Sequence, residues 1–177
     1  MPPLVARARE AALELGFERS CRDEDGALLH VLAARRGIER VAEIGTGSGV
    51  GTAWLASALP PGVPLFTAEA DADLAHAAAA LFADDPDVHV LRGDWREVLS
   101  PPAPFDLLVI GGGHAKDDPE GALGLAAPGA TLVMNDFSAD WPDREPTRAR
   151  WLEHARLAAV ELGQGGNAAT IVAVVRR

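Results

Sequence analysis

The chain has 177 residues, of which 48% are hydrophobic and 24% are charged, and its formal net charge at pH 7 is −10. This length and apolar content predict one globular domain with a sizeable core, and they exclude a disordered chain. The charge argues against nucleic acid as a partner. Phosphate backbones are bound by patches of Lys and Arg, and Lys116 is the only lysine in the sequence.

Nothing in the sequence predicts a membrane partner or secretion. There is no run of about 18 apolar residues, and the N-terminus lacks the pattern of a signal peptide. The single cysteine, Cys21, cannot form an internal disulfide, and nothing around it indicates an activated thiol. We therefore expect a cytoplasmic protein whose partner is a small molecule.

The first part of the chain predicts a helical cover. A helix is expected over residues 4–15, ended by Gly16, and a second helix opens at Asp23 and stops at Gly37. Residues 1–38 are too short for a domain of their own. We therefore expect a single domain, 1–177, that includes this cover.

From residue 40 onward strand and helix patterns alternate, which predicts an α/β fold with a mostly parallel sheet and helices on both faces. The predicted strands cover residues 40–44, 64–69, 87–92, 105–110, 129–135, 158–163 and 168–175. The predicted helices between them cover residues 49–58, 72–83, 94–99, 117–126 and 145–157. Only four residues, with turn-forming composition, separate the last two strands, which predicts a C-terminal hairpin.

A glycine-rich segment follows the first predicted strand. Its sequence is Glu43-Ile44-Gly45-Thr46-Gly47-Ser48-Gly49-Val50. Glycines at alternate positions allow a backbone to approach a ligand closely, although the same pattern also suits a tight turn that binds nothing. The dinucleotide fingerprint G-x-G-x-x-G needs a glycine where Val50 stands, so a nicotinamide-dependent oxidoreductase is the weaker reading.

The spacing E-x-G-x-G-x-G resembles motif I of the Rossmann-like S-adenosylmethionine (SAM) methyltransferases. This resemblance implies SAM as the cofactor and a seven-stranded sheet that ends in an antiparallel hairpin. It also implies that the turn and the preceding acid hold the amino-acid end of SAM, whose ammonium would suit the carboxylate of Glu43. The candidate cofactor residues here are Glu43, Gly45, Thr46, Gly47, Ser48 and Gly49.

Further candidates lie at the carboxyl ends of the next strands, where ligands bind in open α/β sheets. Glu69, followed by Ala70, lies 20 residues beyond Gly49, where an acid can accept both ribose hydroxyls of an adenosine. The family resemblance implies that Asp94 lies beside the adenine amino group, although Asp94 is also a natural helix N-cap. Trp95 either lines the adenine ring or packs in the core.

The ends of the fourth and fifth strands narrow the resemblance. They read Ile110-Gly111-Gly112-Gly113-His114 and Asn135-Asp136-Phe137, and Asp25-Gly26-Ala27-Leu28-Leu29 precedes motif I. These segments resemble I-D-G-x-H, H-D-[FY] and E-G-x-L-L of the small-molecule O-methyltransferases related to the catechol and caffeoyl-CoA enzymes and their bacterial relatives. Gly111 stands where that family has its metal-binding aspartate. Only Asn135 and Asp136 remain as nearby oxygen ligands, so we expect no metal, with Gly111 lining the cofactor site instead.

The predicted function is SAM-dependent methyl transfer to a hydroxyl of a small molecule. Such a transfer needs an aligned acceptor and a base for its proton. His114 is the candidate base because imidazole titrates near neutrality, and Asp136 could orient it or contact the acceptor. Phe137 and Trp141 would offer an aromatic wall. Because Gly111 departs from the family, a SAM-binding protein without catalysis stays an alternative, and a homodimer stays open.

Overall fold

The computed structural model describes residues 1–17, 20–138, 145–163 and 168–176. The α-helices are α1 Pro3–Glu14, α2 Asp23–Ala33, α3 Val50–Ala56, α4 Ala72–Leu81, α5 Trp95–Val98, α6 Pro119–Leu125 and α7 Glu145–Leu152, with a 3₁₀ helix at Gly113–Asp117. The strands are β1 Val41–Ile44, β2 Leu65–Glu69, β3 Val88–Arg92, β4 Phe105–Ile110, β5 Ala126–Ser138, β6 Leu157–Gly163 and β7 Ala168–Val175.

The strands form one sheet in the order β3-β2-β1-β4-β5-β7-β6. The first five pair in parallel, and β7 runs antiparallel to both β5 and β6. This confirms the predicted mostly parallel sheet and its terminal hairpin. The order reverses direction between β1 and β4, and in such sheets a ligand crevice lies at the carboxyl ends of the strands at that point.

The strand register brings the predicted site residues to one level. Ile44 of β1 pairs with Ala68 of β2 on one side and with Ile110 of β4 on the other. The next residue along each strand is Gly45, Glu69 or Gly111. These three residues therefore meet at the same edge of the sheet, although they are distant in sequence.

Side chains of β4 alternate between two apolar layers. Leu108 and Ile110 pack in the layer that contains Trp151, whereas Leu107 and Val109 pack in the opposite layer. Fully burying such a side chain stabilises a fold by about 1.5–3 kcal/mol. A continuous apolar run buried on both faces is typical of a central parallel strand, and it holds the edge that carries the site.

The helical cover packs closely on α3 at Gly26. A Cβ atom added to Gly26 would lie 2.1 Å from Nε1 of Trp54 on α3. One residue earlier, buried Asp25 accepts hydrogen bonds from Arg22 at 2.7 Å and from the hydroxyl of Thr170 on β7. The cover is therefore fixed both to α3 and to the C-terminal hairpin.

We expect Gly26→Ala to lower the free energy of unfolding by about 2–3 kcal/mol, because the new methyl group would overlap the buried ring of Trp54. Gly124→Ala is the matched control, since Gly124 is also helical and a Cβ there would meet nothing within 4 Å. The control should be neutral or stabilise by up to about 1 kcal/mol. Urea unfolding of both variants checks this, and equal midpoints would contradict it.

Several element boundaries differ from the sequence prediction by a few residues, and two of these differences follow from strand pairing. Strand β5 begins at Ala126 instead of 129 because Ala126 pairs with Phe105 ahead of a register shift. Helix α7 ends at Leu152 instead of 157, since Leu157 already pairs with Val175 as the start of β6. In both cases pairing between distant strands overrode a local pattern. Within the described residues, no helix has the length and apolarity needed to cross a bilayer.

Candidate functional site

The segment 45–49, here called the glycine loop, joins β1 to α3 at the point where the strand order reverses. Gly45, Gly47 and Gly49 have φ angles of 92°, 53° and 87°. A Cβ on Gly45 would lie 2.5 Å from the Cα of Gly112, so the two backbones touch. Glycine is required at Gly45 both for this approach and for its left-handed backbone.

The carboxylate of Glu69 lies against the glycine loop. Its Oε2 accepts a hydrogen bond from the N–H of Gly47 at 2.8 Å, and its Oε1 accepts one from the N–H of Asp71 at 3.0 Å. The neighbouring Ala70 is exposed. The side chain is thus fixed at the place that the sequence predicts for a ribose ligand, and its contact with a ribose stays a prediction.

Glu43 lies beneath the glycine loop. It pairs with Thr67 in the β1–β2 register, and the Thr67 hydroxyl donates to its Oε2 at 3.0 Å. The hydroxyl of Thr52 on α3 donates to the same oxygen. The carboxylate therefore joins β1, β2 and α3. The sequence analysis missed both threonines, although a threonine at an inward position of a buried strand was a signal for Thr67.

Burial raises the pKa of Glu43 from 4.5 to about 7. The hydrogen bonds from Thr52 and Thr67 lower this pKa, and the nearby charge of Glu69 raises it. Between these two pH values the folded protein holds a proton on Glu43 that the unfolded chain releases. Ionisation of Glu43 in the unfolded chain therefore lowers the free energy of unfolding as the pH rises from 4.5 to about 7. Above about pH 7 this loss of stability is constant.

We expect Glu43→Gln to abolish the loss of stability that the ionisation of Glu43 causes as the pH rises. From pH 5 to pH 8, the stability of the variant should rise relative to the parent protein by up to roughly 3 kcal/mol, because one pKa unit is worth about 1.4 kcal/mol. Chemical unfolding at both pH values measures the difference. Glu97→Gln, a change at an exposed glutamate on α5, is the control and should show a constant difference. A Glu43→Gln difference that does not change with pH would contradict the assignment.

Phe17 and Ser20, which lie between α1 and α2, contact the glycine loop. A Cβ on Gly47 would lie 3.0 Å from two ring atoms of Phe17, and the hydroxyls of Ser20 and Ser48 are 3.1 Å apart. No periodic pattern in the sequence indicates this long-range contact. Cys21 follows, and burial raises the pKa of its thiol well above the usual range, so the thiol stays protonated, as its surroundings in the sequence predicted.

The residues predicted at the adenine end lie at the start of α5. Asp94 is the N-cap of this helix and accepts from the N–H of Arg96 at 2.9 Å. Trp95 is buried in the core, with the guanidinium of Arg96 4.4 Å from its ring centroid. The structure therefore shows the capping role of Asp94 and the core role of Trp95, and their contact with adenine stays a prediction.

The 3₁₀ helix after β4 carries the candidate base. His114 is exposed on this helix, and two residues later the buried Lys116 donates from Nζ to the main-chain oxygen of Asn135 at the end of β5. Asp136 is exposed and has a φ of 59°, a left-handed backbone that aspartate tolerates. Lys116 thus ties the segment of His114 to the segment of Asp136. Trp141 lies outside the described residues.

The side chains at this edge form a poor donor set for a divalent cation. Gly111 has no side chain, Asn135 offers an amide oxygen, and Asp136 offers one carboxylate. Across the described ranges, no group of three or more His, Cys, Asp and Glu side chains could hold a metal ion. Hard cations take six or more oxygens, with carboxylates prominent among them, so these residues do not fit such an ion.

Comparison with known proteins decides the family. A family model described as a methyltransferase domain matches residues 42–137, from β1 to the end of β5. A protein of Mycobacteroides abscessus, provisionally named an O-methyltransferase, is 33% identical over 153 residues, which cover 81% of this chain and 70% of that protein. The chain belongs to the methyltransferase family. A second such relative, from a Mycobacterium species, is 31% identical over 75% of this chain and 63% of its own length.

Solved structures agree with this membership. The methyltransferase superposes on the O-methyltransferase TomG of Streptomyces achromogenes, involved in tomaymycin synthesis and crystallised with SAM, at a TM-score of 0.81 and 28% identity. The match covers 100% of this chain and 91% of TomG. An O-methyltransferase of Bacillus cereus in complex with SAH (S-adenosylhomocysteine) shares the fold at a TM-score of 0.83 and 23% identity, covering 99% and 92%. The family resemblance seen in the sequence is confirmed, and the oxidoreductase reading is set aside.

Proposed function

We propose that this methyltransferase binds SAM and transfers its methyl group to a hydroxyl oxygen of a small molecule. The observation that carries the proposal is the Glu69 carboxylate bonded to the Gly47 amide at 2.8 Å, at the edge where the strand order reverses. It sets the proposed ribose acceptor directly against the backbone of the glycine loop. The relationship to TomG, crystallised with SAM, supports the same cofactor.

The proposed cofactor site runs along the carboxyl ends of the first four strands. Its members are the acid below the loop, the loop itself and the residues that follow β2, β3 and β4: Glu43, Gly45, Thr46, Gly47, Ser48, Gly49, Glu69, Ala70, Asp94, Trp95 and Gly111. SAM, when bound, supplies a methyl group activated by the sulfonium. The chain contributes alignment, since Glu69 fixes the ribose against the loop and thereby orients the methyl group towards the acceptor.

The proton of the acceptor is removed at the edge formed by β4 and β5. SAM would supply the methyl group to the acceptor oxygen and would leave as SAH, and the imidazole of His114 would accept the hydroxyl proton. The exposed ring of His114 is accessible to an acceptor. Asp136 orients the acceptor or the imidazole. Phe137 is buried in the core within β5, with Lys116 Nζ 5.4 Å from its ring centroid, so it does not offer the aromatic wall that the sequence predicts.

Calorimetric titration of the purified protein with SAM, SAH and NADH in parallel tests the proposal. Binding of SAM and SAH without binding of NADH is expected, and absence of heat with both SAM and SAH would overturn it. Because the donor set does not fit a divalent cation, methyl transfer should continue in EDTA.

The same proposal includes a cytoplasmic location, a homodimer and independence of nucleic acid. The net charge of −10 supports independence of nucleic acid.

A second candidate is a protein that binds SAM without transferring its methyl group. Gly111 favours this candidate. The family resemblance implies a metal-binding aspartate at this position, and the chain has no side chain there. Transfer of label from methyl-tritiated SAM to a panel of mono- and dihydroxyphenols separates the two candidates. Labelled product favours the enzyme, whereas SAM binding with no product from any acceptor favours a sensor or partner subunit.

A further inference from the structure

The candidate base lies on a short element. The 3₁₀ helix that carries His114 has five residues, Gly113–Asp117. Helices of this kind have poor hydrogen-bond geometry and are seldom long, so their shape depends on the elements that pack against them. His114 is exposed, whereas Ala115 and Lys116 are buried. The place of the imidazole therefore depends on how the residues that follow His114 are held.

Helix α7 holds the end of the 3₁₀ helix at two points. The indole N–H of Trp151 donates to the main-chain oxygen of Lys116 at 2.8 Å, and the hydroxyl of Thr147 donates to Oδ1 of Asp117 at 2.6 Å. The two donors are four residues apart, so they lie on one face of α7. Together they fix the two residues that follow His114 most closely after Ala115.

Helix α7 is itself fixed on the sheet. Trp151 has no exposed surface and packs in the apolar layer that contains Leu108 and Ile110 of β4. Thr147 is only 5% exposed, and buried hydroxyls in folded proteins are as a rule hydrogen-bonded. Asp117 provides the partner that this hydroxyl needs. The two bonds therefore connect the segment of His114 to the packed core of the sheet.

We infer that Thr147 and Trp151 are positioning residues that act through His114, by holding its imidazole where the acceptor hydroxyl can reach it. The inference rests on the proposed function, in which His114 is the base. A general base must lie within hydrogen-bond reach of the proton that it accepts, and a displacement of about 1 Å can lower a rate about 100-fold. Because both bonds go to the 3₁₀ helix, their loss should lower turnover and leave cofactor binding unchanged.

Thr147→Val tests the inference, because valine keeps the shape of threonine and lacks the hydroxyl. The turnover number for tritium transfer from SAM should fall about 10- to 100-fold, while the dissociation constant of SAH stays within about threefold of the parent value. The 3₁₀ helix should persist, since Lys116 still bonds to the main-chain oxygen of Asn135. Thr147→Ser keeps the hydroxyl and should retain turnover within about threefold.

Thr131→Val is the control for the same chemical change. Thr131 is also buried, and it pairs with Leu107 of β4, away from the 3₁₀ helix. This variant should retain the turnover of the parent protein within about threefold. Trp151→Phe, which removes the indole N–H and keeps an aromatic ring, should lower turnover as Thr147→Val does. A loss in Thr131→Val equal to that in Thr147→Val would overturn the inference.

Asp117→Ala removes the Thr147 bond from the other side, and it gives a reading even where Thr147→Val does not fold, because Asp117 is exposed. It should lower turnover by at least the same factor. Combining either change with His114→Gln separates positioning from a general loss of structure. If Thr147 and Asp117 act through the imidazole, each should lower the turnover of the His114→Gln variant by less than about threefold.

Four results would overturn the inference. These are a further loss of 10-fold or more in the His114→Gln background, an equal loss in Thr147→Ser and Thr147→Val, unchanged turnover in both Thr147→Val and Asp117→Ala, and unchanged turnover in His114→Gln. In each of these cases a parent protein that transfers methyl groups leaves the proposed function intact. A parent protein that transfers none to any acceptor fails the proposed function, and the inference falls with it.

Discussion

Replacing Gly47 by leucine should weaken binding of SAM and SAH at least about 100-fold, a loss of about 3 kcal/mol. The φ of 53° at Gly47 disfavours any residue with a Cβ, and the new side chain would meet the ring of Phe17 at 3.0 Å. It would also project from the residue whose amide bonds to Glu69. The substitution therefore forces Phe17 or the glycine loop to move and disturbs the proposed ribose acceptor, Glu69. Isothermal titration calorimetry with SAH measures the loss.

Gly37→Leu is the matched control for this prediction. Gly37 has a φ of 81°, and a Cβ there would meet nothing within 4 Å. Both variants carry the backbone strain of a left-handed leucine, about 1–2 kcal/mol, but only Gly47→Leu adds an obstruction at the loop. The control should bind SAH within about threefold of the parent protein. Equal affinities in the two variants would show that the glycine loop does not contact the cofactor.

The parts of the site that follow from local pattern were predictable from the sequence. The alternation of strand and helix patterns identified the strand at 105–110, and the glycine spacing identified the turn after β1. Given the alternating strands and helices, the strand-end rule then placed Glu69 beside the loop. The structure confirms the sheet, and it shows why the rule works here. Ile44, Ala68 and Ile110 share one level of the register, so the residues that follow them come together.

The parts that depend on contacts between distant segments were not predictable. Glu43 looked like a free carboxylate at the cofactor, yet Thr52 and Thr67 engage it from two other elements. The contact of Phe17 with Gly47 joins segments 30 residues apart and leaves no periodic trace in the sequence. A sequence pattern indicates which face a side chain takes on its own element. The pattern does not indicate which residues of other elements contact that side chain.

The surroundings of Gly111 were also not predictable from the sequence. The sequence identifies only the lack of a side chain at this position and weighs Asn135 as a remaining metal ligand. The structure adds that Asn135 is buried, that Lys116 fixes its main-chain oxygen, and that its amide oxygen has no partner among the described residues. The same glycine that weakens a metal site therefore lies among neutral oxygens, those of Asn135, Gly45 and Ile44.

Replacing His114 by glutamine should lower the turnover number about 100- to 10,000-fold and leave the affinity for SAH unchanged, as expected for loss of a general base. Glutamine keeps a polar side chain but cannot accept the hydroxyl proton. The local backbone should persist, because Lys116 bonds to Asn135 and the indole of Trp151 donates to the Lys116 oxygen at 2.8 Å. Initial rates of tritium transfer from SAM to the best phenol of the panel measure the effect.

His76→Gln is the control for the same chemical change, since His76 is exposed on α4 and lies away from the strand ends. It should retain the turnover of the parent protein within about threefold. If His114→Gln does so as well, the base is not His114, and the test moves to Asp136→Asn. A loss confined to Asp136→Asn would place the proton acceptor at the end of β5. A loss in both variants would indicate that the two side chains act together on the acceptor.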